Sequence, residues 1–201
     1  MLLNKLKYLL FAILIFITVS CDKGFEPPPH NLFEDQRQVL EVARETVGER
    51  VTFAASGYFE TDSVKSICAG VEETSNNQFG IKFSLVSWKE GEFVNLYTSG
   101  LLDGSFDGCI VDKIKFSEIP NELIYYNSKS YFMGSGGGEV FLHVVDLNKR
   151  KVYSAHLTTA AHGPATLELS DNIDIAMLRT FFVSYFRRDY PSLRVIESGN
   201  I

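Results

Sequence analysis

"EVFLHVVDLNKRKVYSAHLTT", Glu139 to Thr159, is the stretch on which the fold turns. Two runs rich in Val, Leu, Phe and Tyr flank a polar centre at Asn148–Lys149, the pattern of a β-hairpin. With Asp146 opposite Lys151, Val144 faces Tyr153, Leu142 faces Ala155 and His143 faces Ser154. Side chains alternate between the faces of a sheet. One face then carries Val140, Leu142, Val144, Tyr153, Ala155 and Leu157, an apolar set fit for a core. The other carries Phe141, His143, Val145, Ser154, His156 and Thr158. A shift of one residue would exchange the faces and destroy this pairing.

Strand-like segments continue on both sides of this hairpin. Upstream they fall near 50–60, 63–73, 79–88, 92–101, 109–117 and 122–132, and downstream near 165–169. Gly, Asn, Asp and Ser clusters break them, and the short connections favour antiparallel neighbours over crossover helices. Helical spacing brackets the strands. Leu32, Phe33, Gln36, Val39, Leu40, Ala43 and Val47 form one stripe, with Asn31 and Glu34 as a capping box and Gly48 as the stop. Asn172 to Arg188 forms the second helix, with Ile175, Leu178, Phe181, Phe182 and Tyr185 on its apolar face and Pro191 beyond it. "LRVIE" adds a short last strand. The expected fold class is α+β: a curved, mainly antiparallel meander with an N-terminal and a C-terminal helix packed on it.

The first thirty residues are of another kind. Lys5 and Lys7 precede an apolar run from Tyr8 to Val19, then Ser20 and Cys21. The run is shorter than the roughly 18–20 residues that span a bilayer as a helix, and it suits a secretory signal peptide. Val19, Ser20 and Cys21 match a lipobox, although Thr18 stands where Leu is usual. In this segment the chain resembles bacterial lipoprotein precursors. The "CDK" start and the Phe-, Ile-, Tyr- and Asn-rich composition resemble lipoproteins of the Bacteroidota. The resemblance implies cleavage before Cys21, acylation of that cysteine (a palmitate-type modification) and attachment to a bacterial cell-envelope membrane, on its periplasmic or cell-surface face. Two or more acyl chains hold a protein stably where one is marginal. The expected organisation is a signal peptide over 1–20, a lipidated tether over 21–30 and a single α+β domain over 31–201. The tether "DKGFEPPPH" is extended by its three prolines and lets the domain stand at most about 30 Å from the membrane.

Cleavage before Cys21 leaves 181 of 201 residues and, without Lys5 and Lys7, moves the net charge from −6 to −8. That length carries a substantial core. The acidic balance argues against a nucleic-acid partner, which needs clustered Lys and Arg. With Cys21 acylated, Cys68 and Cys109 remain as an even pair in an oxidising compartment, a candidate disulfide. It would close a loop of about 41 residues, worth roughly 4 kcal/mol by chain entropy. Two buried thiols are the alternative.

Three segments hold side chains capable of chemistry. "MGSGGGEVF", Met133 to Phe141, has neither the lysine of a phosphate-binding loop nor the glycine spacing of a nucleophile elbow, and reads as a hairpin connection. In "LLDGSFDGCIVD", Asp103, Ser105 and Asp107 open like a calcium loop, but Ile114 stands where the bidentate Glu belongs. Two Asp-Gly turns explain the same residues. On the polar face of the hairpin, His143, Ser154 and His156 suit metal binding or proton transfer, or simply a half-exposed surface. His162 is expected in a turn. No catalytic residue, metal site or cofactor is identified by spacing. The expectation leans away from an enzyme: a non-catalytic binding domain for an envelope protein or polymer, as an accessory subunit, inhibitor or immunity factor. An envelope hydrolase using the histidines and a small-ligand carrier are the alternatives.

Overall fold

The structure, a computed structural model, describes residues 27–29, 31–75, 78–104, 109–131, 137–160 and 163–197. The leader, Cys21 and most of the tether lie outside the described residues, as does His162. Among the described residues no helix is long and apolar enough to cross a membrane.

The chain enters through a 3-10 turn, Leu32–Glu34, and helix α1, Gln36–Val47. Asp35 caps this helix by accepting from the Arg37 N–H at 2.9 Å. The expected cap, Asn31, lies one turn too early: it sits at φ 69° and its side chain makes no cap. The 3-10 turn uses up that segment, and Asp35 is the next side chain short enough to reach a free N–H. Gly48, at φ 136°, ends the helix as expected, in a conformation that glycine adopts without strain.

Strands β1 (Val51–Gly57), β2 (Ser66–Ser75), β3 (Gln78–Lys89) and β4 (Glu92–Thr98) follow as an antiparallel meander, in the order β1-β2-β3-β4. A two-residue strand, β5 (Leu102–Asp103), pairs with Gly80 and Ile81 of β3. These five form sheet A. Sheet B contains β6 (Ile110–Ile114), β7 (Leu123–Tyr131), β8 (Gly138–Asp146), β9 (Lys151–Thr159), β10 (Thr166–Leu169) and β11 (Arg194–Glu197). Helix α2, Ala176–Arg187, intervenes before β11, which therefore joins β10 in parallel. The fold is α+β with a helix near each end of the strand run. The strands divide between two sheets, however, where one curved sheet was expected.

Three cores explain the division. Leu32, Val39 and Ala43 pack with Val51, Ala54, Ile67, Ala69 and Val86, which places α1 on the outer face of sheet A. Leu178, Phe182 and Phe186 pack with Leu142, Val144, Tyr153, Ala155 and Leu157, which places α2 on the outer face of sheet B. Between the sheets, Cys68, Ile81, Phe83 and Leu85 meet Ile124, Tyr126 and Val145. The layer order is helix, sheet, sheet, helix. Each sheet alternates two buried faces, and one curved sheet could cover only one of them.

The free edge of β1 is occupied by side chains. The carbonyls of Val51, Ala54 and Ser56 accept from Arg44 Nε (3.0 Å), Gln36 Nε2 (2.6 Å) and Lys113 Nζ (2.9 Å). Two donors come from α1 and one from β6, so the edge is closed to further strands and tied to sheet B.

Candidate functional site

The hairpin β8–β9 has the register expected from its apolar pattern. Asp146 pairs with Lys151, Val144 with Tyr153, His143 with Ser154 and Leu142 with Ala155. Neighbouring strands extend these pairs into rows on the inner face. Tyr126, His143 and Ser154 make one row; Ser128, Phe141, His156 and Glu168 make the next.

The rings stand nearly parallel across the two rows. Tyr126 stacks on His143 at 5.6 Å between centroids and 7°, and Phe141 stacks on His156 at 4.3 Å and 7°. Phe141 also lies 6.4 Å from His143, at 4°. His143 Nδ1 is 2.8 Å from Ser154 Oγ, and His156 Nε2 is 3.0 Å from Glu139 Oε2. The two imidazoles differ in exposure. His143 is 5% exposed, whereas the His156 side chain is 33% exposed. His143 Nε2 is buried and has no hydrogen-bond partner among the described residues. Burial drives the His143 pKa down to about 4; His156 adds to the effect and the carboxylate of Asp103 opposes it. The imidazole is therefore neutral near pH 7. Burial, with Cys109, Asp103 and Glu72 nearby, raises the Tyr126 phenol to about 12 against the opposing hydrogen bond of Ser128. Its hydroxyl donates to the Asp103 carbonyl at 3.0 Å.

These contacts limit the chemistry. A nucleophile–base–acid chain needs its serine and carboxylate on one imidazole. Here the serine is on His143 and the carboxylate on His156, with the Phe141 ring between them. An imidazole held neutral down to about pH 4 is also a weak general base. Among the described residues no group of three or more His, Cys, Asp or Glu is arranged to hold a metal ion.

The remaining candidates separate. Asp103 lies in β5, where its Oδ1 accepts from Gln78 Nε2 at 2.7 Å. Ser105 and Asp107 are outside the described residues. Gly104, at φ 122°, lets this turn press on Tyr126 and Ser128, where any Cβ would collide with both side chains. Cys68, in β2, and Cys109, just before β6, are present as thiols, both against the inter-sheet core. Burial pushes the Cys68 thiol well above its ordinary pKa.

Three participants went unnoticed in the sequence. Glu139 shares the face of Phe141 by alternation, so its reach to His156 was open to inference. Tyr126 needed the β7–β8 register, which no turn signal supplied. On the outer face Asn127, whose Nδ2 donates to Tyr185 Oη at 2.6 Å, interrupts the apolar alternation Leu123, Tyr125 of β7, and that break was the available signal.

The inner face is unequally covered. Sheet B is six strands wide, while four strands and the short β5 make up sheet A. The inter-sheet core reaches Val111, Ile124, Tyr126, Val145 and Val152, and Arg150 lies 5.6 Å over the Tyr97 ring of β4. Beyond this line β9–β11 present Thr158, Glu168 and Arg194 exposed, with His156, Thr166 and Ile196 half-buried. No family model, no curated protein and no solved structure matches this chain.

Proposed function

We propose that the chain is a bacterial cell-envelope lipoprotein, acylated at Cys21, whose domain binds an envelope partner without catalysing a reaction on it. A protein partner fits best, with the chain as accessory subunit, inhibitor or immunity factor. The supporting observation is the overhang of sheet B. The inner faces of β10 and β11 and the Thr158 end of β9 lie beyond the inter-sheet core and offer a surface of mixed charge beside the Phe141–His156 stack. Such a surface, with a rigid aromatic plane inside a polar rim, has the make-up of a recognition patch.

The test is crosslinking from the protein's own membrane, comparing wild type with Thr158→Trp/Glu168→Arg on the overhang and Glu45→Arg on α1. Capture of one partner by wild type and by Glu45→Arg, lost in the overhang variant, is the expected result. Equal capture by all three overturns the surface, and no reproducible capture overturns the binding role.

The hydrogen bond of Ser154 Oγ to His143 favours a second reading, an envelope hydrolase. It requires that His143→Ala and His156→Ala abolish an activity while the fold survives. The binding reading has the partner still captured by His143→Ala.

A further inference from the structure

The two edges of sheet A are unlike. The carbonyls of β1 are taken by Arg44, Gln36 and Lys113. At the other edge, β3 and β4 join through a turn at Glu90 and Gly91, both at positive φ, with Lys89 opposite Glu92. In such a hairpin the flanking pair is hydrogen-bonded, and bonded and non-bonded pairs then alternate. Glu92 and Val94 therefore bond back to β3, while Phe93 and Asn95 turn their N–H and C=O groups outward. Among the described residues nothing bonds those outward groups. The free stretch ends at Tyr97, whose N–H donates to Asn95 Oδ1 at 3.2 Å. Phe93 and Asn95 thus present donors and acceptors at strand spacing, the pattern that a further strand completes. The edges of sheet B are shorter, five residues in β6 and four in β11.

The edge of β4 lies above a shelf. Lys113 ties β6 to β1 on one side, and Arg150 lies 5.6 Å over the Tyr97 ring of β4 on the other, so the sheets stack in the same order. Leu96 and Tyr97 of β4 pack against the inter-sheet core together with Val152 of β9. Sheet B continues past β9 through β10 and β11. Their inner face carries Thr166, Glu168, Arg194 and Ile196. Two strands at about 4.8 Å each make a shelf roughly 10 Å wide, room for one or two added strands. A second copy of this chain, paired edge to edge, would bring its own sheet B into the same space. A single extended segment fits.

We infer that an extended segment of a protein partner adds to β4 as the next strand of sheet A, over the inner face of β10 and β11. The inference rests on the binding role proposed above and names the form of the partner. Phe93 packs with Phe33 on the α1 side, so Glu92 and Val94 face the shelf by alternation. Side chains of the segment alongside Glu92 and Val94 face the shelf too. A basic one suits Glu92 and Glu168, and an apolar one suits Val94 and Ile196. The segment therefore alternates, with basic and apolar side chains inward and polar ones outward.

The test uses the ¹⁵N-labelled full-length chain in detergent micelles and the peptide Thr-Lys-Thr-Val-Thr-Lys-Thr, which reads the same in both directions. With millimolar peptide the Phe93 and Asn95 amides should exchange about tenfold more slowly with solvent deuterium. A peptide N-methylated at its threonines keeps the side chains, loses the backbone donors and should give no protection. Glu92→Lys should weaken the lysine peptide about fivefold, and a peptide with glutamate in place of lysine should recover the loss. Unchanged exchange at Phe93 and Asn95, equal protection by the N-methylated peptide, or indifference of Glu92→Lys to both peptides overturns the inference. Crosslinking from the membrane reports the binding role and amide exchange reports the edge, so the two fail separately.

Discussion

The two faces of the β8–β9 hairpin have met different fates. On the outer face Leu142, Val144, Tyr153, Ala155 and Leu157 are all buried under α2. On the inner face Val145 and His143 are buried while His156 is half-buried and Thr158 exposed. Alternation along the chain is the same for both. The difference comes from the opposing layer: α2 lies along the outer face, whereas the inter-sheet core reaches Val152 of β9 and stops short of Thr158, β10 and β11. A polar residue on the inner face is therefore interior or surface according to the width of a sheet elsewhere in the chain. His143 and His156, thirteen positions apart in one hairpin, show what that does to two identical side chains.

The outer face should be the costlier one to damage. Phe182→Ala removes a fully buried ring between α2 and sheet B. It should cost about 3–5 kcal/mol, read as a fall in the urea midpoint. A loss below about 1 kcal/mol would break the contrast between the faces.

His143 comes next. Its folded pKa, about 4, lies below the ordinary 6.5, so the unfolded chain takes up the proton first as pH falls. Stability is complete above about pH 6.5, declines between there and about pH 4, and levels off below, for this group, after losing about 3 kcal/mol. Urea titrations across that range should show the decline in wild type and a shallower one in His143→Gln. His156→Gln should leave the decline in place, and equal flattening by both would erase the distinction between the two histidines.

Smaller effects belong to the surface. Asp35→Ala should cost about 1 kcal/mol by leaving the Arg37 N–H without its cap. Glu139→Gln breaks a partly exposed pair and should change stability by less than about 1 kcal/mol. A larger loss would mean that the carboxylate is needed to orient the His156 ring on Phe141.

Much of the fold was legible because local rules govern it. Strands β1 to β4 and β6 to β11 lie within a few residues of their expected places, since period-two alternation and turn residues are local signals. The hairpin has the register that was supposed for it, with Asp146 opposite Lys151. Asn31 was misjudged as a cap because a 3-10 turn and a helix start share the same residue types, and only hydrogen bonding separates them. β5 escaped notice because two residues carry no period; it exists because Gly80 admits the Leu102 carbonyl, where any Cβ would collide.

The site was legible only in part, for a physical reason. His143, Ser154 and Glu139 could be placed on one face by counting along a strand. Tyr126, which stacks on His143, sits on β7, whose register against β8 no spacing in the sequence supplied. The hydrogen bond from Asn127 of β7 to Tyr185 of α2 spans 58 positions, which no spacing rule reaches.

By itself, then, the sequence determined the elements, the antiparallel order of the central strands and which residues share a face. Those properties depend on backbone periodicity and on burying apolar side chains, both readable over a few residues. The tertiary structure alone decided that the strands form two sheets, that sheet B overhangs sheet A and that His143 is dry while His156 is wet. Burial is a property of what packs opposite, and that neighbour comes from distant parts of the chain.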